Sequence, residues 1–514
     1  MALPLAHVRL AFPFTCLLFV VLLAASSLGC SRDSPRDSPR GAGGERPLEM
    51  LVPTDAETLD PRHATDAVAL RATRLIHAGL VRLDPDSLEP RPYLARSWAW
   101  TDPLTLRVEL RDGVRFHSGA PFTSRDVKAT IAAFQSPAVG SRHARVIETI
   151  GQVDVEGDHV VIVHLTRAHA TLLTDLELPI LRADEAFSPP RPEGSLDGLG
   201  PYVVAHRTPG EIELTPARDG AMPMPSRSVT LRTVHDENAR ALRMHAGRAD
   251  LVVNAFSPTL LPALSQAHGI SLNARPGANL TYLMARTDQG LLADVRVRRA
   301  LATAIDRERI AQTLLAGRAQ AATTLLPPQH WAYTPAPAWP VDRAGAAAAL
   351  AEAHPGRLHV TLLTSTDRLR GTIARFLAQE LAEIGVDVDV VPLELGTLIG
   401  RLTAGDFELA TLQLPEITEP NVLRVFLHSS SIPPAGANRG RVRDAEVDRL
   451  LDEGESTLDV ATRRTIYAAL EKRIRDQALF IPLWHEDQIA VVSDRARAFM
   501  PSAEGRWLGI AELK

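Results

Sequence analysis

The chain has 514 residues, of which 45% are hydrophobic and 23% charged, so it can bury a large core and is expected to form at least two domains. Its formal net charge of −5 argues against a nucleic-acid partner. The two cysteines, Cys16 and Cys30, both lie near the N-terminus, which excludes a disulfide framework or a cysteine-based zinc site in the folded body.

Residues 1–29 are predicted to be a secretory signal peptide. Arg9 precedes an apolar run over residues 10–25, and small residues end the segment. An uncleaved membrane anchor is the alternative, because the run is nearly long enough to span a bilayer. Pro13 and the small-residue end favour cleavage.

Cys30 is the predicted lipidation site. Residues 27–30 (Ser-Leu-Gly-Cys) resemble a bacterial lipobox, although Ser27 stands where that pattern usually has leucine. The alternative is ordinary cleavage near residues 25–27, which leaves a free thiol. Residues 31–47 carry no apolar periodicity, so residues 30–47 are interpreted as a lipidated cysteine with a disordered tether. This interpretation predicts a membrane-anchored lipoprotein of the periplasm or cell envelope.

Strands and helices are predicted along the whole remaining chain. Alternating apolar residues predict strands over residues 104–110, 160–165, 212–215, 229–234, 358–363 and 386–391. Three helices are predicted to begin after the caps Thr123, Asp294 and Asp306. The first is predicted to extend through Phe134, and the third to end at Gly317. Further helices are predicted over residues 344–353 and 372–384. The alternation indicates an α/β or mixed α+β fold.

Motifs of known catalytic sites are absent from the sequence. No lysine follows a glycine as in a Walker A loop, and neither HExxH nor GxSxG occurs. His235 and His245 are too far apart to share adjacent helical turns as a metal pair. We therefore predict no catalytic residue, no metal site and no cofactor, and a protein that is not an enzyme; an envelope hydrolase stays as an alternative.

Three blocks of sequence, in order along the chain, resemble the family 5 extracellular solute-binding proteins, the peptide, nickel and oligosaccharide receptors of ABC importers. The blocks contain a Leu-Arg-Asp-Gly-Val turn before Phe-His-x-Gly, a Gly-Leu-Gly-Pro-Tyr motif, and an Arg-x-Ala-Leu-x-x-Ala-Ile-Asp-Arg motif. They occupy residues 79–126, 198–251 and 294–328, with weaker similarity at 445–451 and 480–484. Each block alone is modest, but three in order are specific.

The resemblance implies a two-lobed fold of the periplasmic-binding-protein type (type II, cluster C) with an inserted subdomain in the first lobe. Lobe I would comprise residues 48–84, 197–275 and 486–514, the inserted subdomain residues 85–196, and lobe II residues 276–485. It also implies a monomer that captures a small solute between the lobes and delivers it to ABC permease subunits.

The ligand site implied by the resemblance lies just before Pro420. Peptide-binding members carry Trp-x-x-Asp there, and Gln413 and Glu416 take those two positions, with Leu414 between them and Glu419 next to the proline. Glu416 would hold the amino group of a peptide, which is the leading prediction. A solvated loop carboxylate is the alternative for Glu416. A nickel or metallophore receptor and an envelope sensor without transport remain alternative functions.

Overall fold

The computed structural model describes residues 46–191, 195–220 and 224–514. Residues Arg46–Lys514 form one compact unit, and Cys30 and the predicted signal peptide lie outside the described residues. Arg46 and Pro47, assigned from the sequence to the tether, belong to this unit, because the Arg46 guanidinium forms an ion pair with Asp250 over 3.0 Å.

The strands are β1 (Leu48–Val52), β2 (Val81–Leu83), β3 (Pro90–Pro92), β4 (Ala95–Asp102), β5 (Thr105–Leu110), β6 (Ile150–Glu156), β7 (Val160–Leu165), β8 (Tyr202–Thr208), β9 (Glu211–Pro216), β10 (Val229–Thr233), β11 (Leu251–Val253), β12 (Ile270–Pro276), β13 (Leu280–Ala285), β14 (Ala319–Ala321), β15 (Leu358–Ser365), β16 (Val386–Leu393), β17 (Leu409–Leu414) and β18 (Ile481–Ser493).

The α-helices are α1 (Ala67–Ile76), α2 (Ser124–Gln135), α3 (Leu172–Asp175), α4 (Glu237–His245), α5 (Leu261–Ser265), α6 (Val295–Ala304), α7 (Arg307–Thr313), α8 (Arg343–Ala353), α9 (Arg368–Ala382), α10 (Leu395–Ala404), α11 (Val422–Leu427), α12 (Ala445–Ser456) and α13 (Val460–Gln477). Short 3₁₀ helices are Ala144–Ile147, Leu291–Ala293, Ser429–Ser431, Asp494–Ala496 and Leu508–Glu512.

Strand β18 connects the two lobes of the molecule. Its first half pairs antiparallel with β13 and β14, and its second half pairs antiparallel with β11 and β12. On one side the sheet continues through β17, β15 and β16, which with β13 and β14 we name lobe II. On the other side it continues through β1, β10, β9 and β8, which with β11 and β12 we name lobe I. The fold is therefore two-lobed and mixed α/β, as the sequence predicts.

Each lobe buries apolar side chains on both faces of its part of the sheet. In lobe I, α1 and the C-terminal segment cover one face, while α4 and α5 cover the other. In lobe II, α6, α8 and α9 cover one face, and α10 to α13 cover the other. Sheets covered on both faces by helices are the usual three-layer arrangement of α/β domains.

A separate sheet, β4-β5-β7-β6, forms the centre of the inserted subdomain. Helix α2 packs on it through Val127, Ile131 and Phe134. Its core also includes Leu80 and Val81, which precede the boundary at residue 85 expected from the sequence. The core of the subdomain therefore extends to β2 and to Ala78 in the segment that follows α1.

Local sequence signals account for most helix starts. The capping box at Thr123 is present, with the Thr123 N–H donating to Asp126 Oδ2 over 2.7 Å. Asp294 and Asp306 cap α6 and α7 as predicted. The two largest differences in helix bounds are that α7 ends at Thr313 rather than Gly317, and that α9 begins at Arg368 rather than residue 372, because Asp367 caps it.

Asp250, which directly precedes β11, has several hydrogen-bonding partners. It is 1% exposed and accepts hydrogen bonds from Arg46, Arg495 Nη1 over 2.7 Å, and Ser493 Oγ over 2.9 Å. These contacts join the start of the folded unit to the end of β18. The sequence does not reveal them, because all of the partners are distant in the chain.

Candidate functional site

The chain passes between the lobes twice, and the two passages lie side by side. The first is the turn between β12 and β13, and the second is the middle of β18 at Glu486. Asn279 joins them, since its Nδ2 donates to the Glu486 carbonyl oxygen over 2.7 Å and its Oδ1 accepts from the Glu486 N–H over 2.8 Å. A Cβ on Gly277 would approach the same carbonyl oxygen to 2.2 Å. Two short passages joined at one point have the geometry of a hinge.

A network of polar side chains surrounds the second passage. The Glu486 carboxylate accepts from Arg370 over 2.6 Å, and from Trp484 Nε1 and Thr281 Oγ1 over 3.1 Å each. Burial alone would raise the pKa of Glu486, but Arg370 brings that pKa below its ordinary value. Gln413, one of the predicted ligand contacts, donates to Thr281 Oγ1 over 3.5 Å. Gln413 therefore lies at the edge of this network.

Two other predicted ligand contacts lie in the interior of lobe II. Leu414 is 4% exposed and belongs to the core under α10 to α13. Glu419 forms an ion pair with Arg463, whose guanidinium lies 4.9 Å from the centre of the Trp331 ring. Burial raises the pKa of Glu419, and Arg463 opposes that shift. The charge of Glu419 is thus compensated within lobe II, and ligand contact by either residue stays a prediction.

Glu416 is the predicted contact whose loop is joined to lobe I by backbone hydrogen bonds. The next residue, Ile417, donates its N–H to the Ala278 carbonyl oxygen over 2.6 Å, and the Ala278 N–H donates to Ala503 O over 2.7 Å. Ala278 thus joins the loop of Glu416 to the C-terminal segment of lobe I. Glu416 is half-buried, and within the described part of the chain its carboxylate has neither a hydrogen bond nor an ion pair.

Three arginines of lobe I interact electrostatically with Glu416 of lobe II. Arg71 and Arg74 lie one turn apart on α1, and Arg506 lies in the C-terminal segment. Burial lowers the pKa of Arg71, and Glu416 is the largest charge opposing that shift. Burial and Arg506 lower the pKa of Arg74, which Glu416 also opposes. The carboxylate of lobe II and the guanidinium groups of lobe I therefore interact electrostatically.

Two glutamates on the lobe I side partly compensate these arginines. Arg506 forms an ion pair with Glu177, and its Nε lies 3.8 Å from Glu504 Oε1. Arg74 Nη2 lies 4.0 Å from Glu177 Oε2, which is beyond hydrogen-bond distance. Burial raises the pKa of Glu504, with Arg506 opposing. We name Glu416, Arg71, Arg74, Arg506, Glu177 and Glu504 together the Glu416 cluster.

Several polar atoms of the Glu416 cluster are buried without hydrogen bonds. They are the Nε atoms of Arg71, Arg74 and Arg506 and the Oε2 atom of Glu504. Buried polar atoms in proteins are almost always hydrogen-bonded, and exceptions occur where a ligand or solvent supplies the partner. The unsatisfied atoms therefore mark this cluster as a candidate binding site.

A cavity of about 340 Å³ adjoins the cluster on the lobe I side. Arg74, Glu177, Glu504 and Arg506 line it together with Tyr93. The Tyr93 hydroxyl is buried without a hydrogen bond, and burial raises its pKa to about 12. Ligand pockets have volumes of roughly 300–1,000 Å³, so the cavity is large enough for part of a small ligand.

A second charged region joins the inserted subdomain to lobe II. Glu455 of α12 forms ion pairs with Arg167 and, over 3.3 Å, with His169 Nδ1, and its carbonyl oxygen accepts from the Ala170 N–H over 2.8 Å. His169 Nε2 also lies 2.8 Å from Asp175 Oδ2. We name this region the Glu455 interface. Burial alone would lower the pKa of His169, but these carboxylates raise it to about 9.

The arginines of α1 were not predicted from the sequence. One signal was available, because Arg71 and Arg74 lie three residues apart in a helix whose other residues are mostly apolar, which puts two cations on one face. Arg167, His169 and Glu455 carry no local signal, since they meet only after the inserted subdomain has packed.

Comparisons with known proteins agree with the two-lobed architecture. The profile described as bacterial extracellular solute-binding proteins, family 5 middle, matches residues 89–431. A probable di/tripeptide-binding protein of Pseudomonas aeruginosa is 27% identical over 464 residues, which is 83% of this chain and 88% of that protein. Heme-binding protein A of Haemophilus influenzae is 26% identical over 479 residues, which is 84% of this chain and 86% of that protein.

A solved structure shares the fold along nearly the whole chain. The ABC transporter substrate-binding protein CtaP of Listeria monocytogenes superposes with a TM-score of 0.82 at 22% identity, covering 90% of this chain and 98% of that protein. Within residues 46–191, 195–220 and 224–514, His, Cys, Asp and Glu side chains form no group of three or more able to hold a metal ion. In the same ranges, no helix has the length and apolarity needed to cross a membrane.

Proposed function

The chain belongs to the bacterial extracellular solute-binding proteins of family 5, and we propose that its solute is a short peptide with a free amino terminus. Proteins of this family bind small solutes outside the cytoplasm and work with the permeases of ABC transporters. The chain is accordingly the substrate-binding component of an importer.

The observation that carries the proposal is the free carboxylate of Glu416. It is half-buried in the cleft, and no described residue compensates it by a hydrogen bond or an ion pair. An ammonium group buried without a counter-charge is very costly, so a closed cleft that excludes water must offer a carboxylate to a peptide amino terminus. A charge-assisted hydrogen bond to Glu416 would supply this and fix which end of the ligand enters.

The surroundings of Glu416 support a small ligand. The backbone link through Ala278 holds the Glu416 loop against the C-terminal segment, and the adjoining cavity of about 340 Å³ is at the small end of the range for ligand pockets. One relative of similar length has a name that refers to di- and tripeptides. A peptide of two or three residues is therefore the ligand that we put first.

A thermal-shift screen tests the proposal. A ligand that binds only the folded protein stabilises it by about 2.7 kcal/mol at a concentration of 100 Kd. We expect peptides of two to five residues to raise the melting temperature and their N-acetylated forms to have little effect. A response to nickel–histidine complexes or oligosaccharides with none to peptides would favour the alternative solutes. A response to no solute class would favour an envelope sensor without transport.

We also propose that Cys30 is lipidated and holds the protein, as a monomer and not an enzyme, on the outer side of a membrane. The support is the sequence alone, since Cys30 follows an apolar segment and precedes a polar tether. Expression of wild type and Cys30→Ser in a bacterial host tests this. Wild type should be recovered with membranes and the variant in the soluble fraction, and equal solubility of the two would contradict lipidation.

A further inference from the structure

The strongest feature that the proposed function leaves unexplained is the arginine pair on α1. Arg71 makes no hydrogen bond or ion pair with any described residue, and Arg74 has only Glu177, at 4.0 Å. The Nε atoms of both are buried and unsatisfied. Two neighbouring cations disfavour each other, and an unpaired buried guanidinium costs free energy, so the fold alone gives no reason for this pair.

The surrounding charges also leave the lobe I side deficient in anions. Three arginines, Arg71, Arg74 and Arg506, face two glutamates there, and Arg506 already has Glu177 as its partner. Glu504 also lies next to Arg506, since its Oε1 is 3.8 Å from the Arg506 Nε. Glu416 of lobe II interacts electrostatically with all three arginines, but it forms no ion pair with any of them.

We propose that Arg71 and Arg74 bind the terminal carboxylate of the peptide, so that the receptor selects ligands carrying both a free ammonium and a free carboxylate. This inference rests on the proposed function, because it assigns the second end of the same ligand. The guanidinium group presents a planar set of donors that matches the two oxygens of a carboxylate. The ammonium group of a lysine has no such planar set. The carboxylate would supply the acceptors that the two Nε atoms lack.

The proposal also orients the ligand. The ammonium would contact Glu416 on lobe II, and the carboxylate would contact α1 on lobe I, so the peptide joins the two lobes through its ends. Only a dipolar ligand compensates both sides at once, because an anion alone would leave Glu416 without a partner and a cation alone would leave the arginines without one. The charge arrangement therefore couples ligand choice to closure of the cleft.

Calorimetric titration with three probes tests the assignment. Trialanine, trialanine amide and N-acetyl-trialanine differ only at their ends, and their methyl side chains carry no charge. The proteins are wild type, Arg71→Gln, Arg74→Gln, Glu416→Gln and Arg125→Gln. Arg125 is exposed on α2 in the inserted subdomain, so its variant is the control for loss of one positive charge.

Wild type and Arg125→Gln should bind the amide at least about 30-fold more weakly than the free acid. In Arg71→Gln or Arg74→Gln this ratio should fall to about threefold or less, while discrimination against the N-acetylated probe persists. Glu416→Gln should show the reverse. It should still bind the acid more tightly than the amide, but it should no longer bind trialanine more tightly than N-acetyl-trialanine.

Equal binding of acid and amide by wild type would overturn the inference and leave the proposed function intact, and this comparison needs no variant to fold. Discrimination that survives in both arginine variants would overturn it as well. A third outcome is that the arginine variants lose acid–amide discrimination while N-acetylation has no effect on binding by wild type. This result would support the arginine assignment and contradict the role of Glu416. No binding of any probe to wild type would overturn both proposals.

Discussion

Lobe II approaches the lobe I side of the molecule in two charged regions, the Glu455 interface and the Glu416 cluster, and the two are built differently. At the Glu455 interface, Arg167 and His169 both reach the Glu455 carboxylate, and a backbone hydrogen bond of 2.8 Å accompanies them. In the Glu416 cluster, the charges act on one another across the cleft without forming an ion pair between lobes.

The difference indicates how closure and binding are divided between the two regions. Compensated charges stabilise the closed arrangement without help from a ligand. Uncompensated buried charges oppose closure until a ligand with the matching charges is present, which makes closure depend on the ligand. Substitutions can disrupt each region separately.

Removal of the acceptor at the Glu455 interface should have the largest effect on stability. Glu455→Ala leaves Arg167 and the buried His169 without their shared carboxylate and should lower the free energy of unfolding by about 3 kcal/mol, as measured by urea denaturation without ligand. Glu453→Gln on the same helix is the matched control. Its partner Arg449 is exposed, so the expected change is below about 1 kcal/mol. Equal effects of the two variants would contradict the account.

The pH dependence of stability should reveal the contribution of His169. Its pKa in the folded protein is about 9, above the ordinary value of 6.5, because Asp175 and Glu455 outweigh the effect of burial. Its contribution is therefore complete below about pH 6.5 and is lost as the pH rises through about 9. Wild type should exceed His169→Gln by up to about 3 kcal/mol at acidic to neutral pH.

The same comparison at alkaline pH supplies the control. Near pH 10 the free energies of unfolding of wild type and His169→Gln should converge, because His169 is then neutral in both the folded and the unfolded chain. A difference that stays constant across this range would mean that His169 contributes through packing alone.

The hinge should be less sensitive than the Glu455 interface. Asn279→Ala removes the two hydrogen bonds to the Glu486 backbone and should cost about 1–3 kcal/mol of unfolding free energy. It should also weaken the dependence of closure on ligand, which small-angle scattering with and without trialanine would measure. A variant with unchanged stability would show that solvent replaces both hydrogen bonds.

Removal of an arginine from the Glu416 cluster should have the smallest effect in the absence of ligand. Arg71 has no ion pair or hydrogen bond with the described residues, so Arg71→Gln should lower the free energy of unfolding by no more than about 0.5 kcal/mol. Urea denaturation of ligand-free wild type and variant measures this. A loss of about 2 kcal/mol or more would mean that Arg71 is already compensated in the ligand-free protein.

Local signals in the sequence were sufficient for much of the fold. Strand β7 has the bounds that alternation predicts, and Thr123, Asp294 and Asp306 cap the helices expected of them. The resemblance of three sequence blocks was enough to predict the two lobes. In each case the information lies in neighbouring residues or in a motif.

The candidate site was predictable only in part. Position relative to Pro420 selected Glu416, Leu414 and Glu419 alike, and ligand contact by each of them stays a prediction. The sequence did not show that Leu414 lies in the core or that Arg463 compensates the charge of Glu419. Arg71 and Arg506 are separated by more than four hundred residues and meet only through the packing of α1 against the C-terminal segment. Contacts of that kind have no local signature.

The most direct test of the account is the affinity of trialanine for wild type and Glu416→Gln, measured by isothermal titration calorimetry. Glutamine keeps the shape of the side chain and removes the charge, and Glu352→Gln on the exposed face of α8 is the matched control. We predict a loss of roughly 2–5 kcal/mol of binding free energy for Glu416→Gln, at least about 30-fold in Kd, with no change for Glu352→Gln. Binding by Glu416→Gln within about threefold of wild type would contradict it, because Glu416 would then be a solvated loop carboxylate.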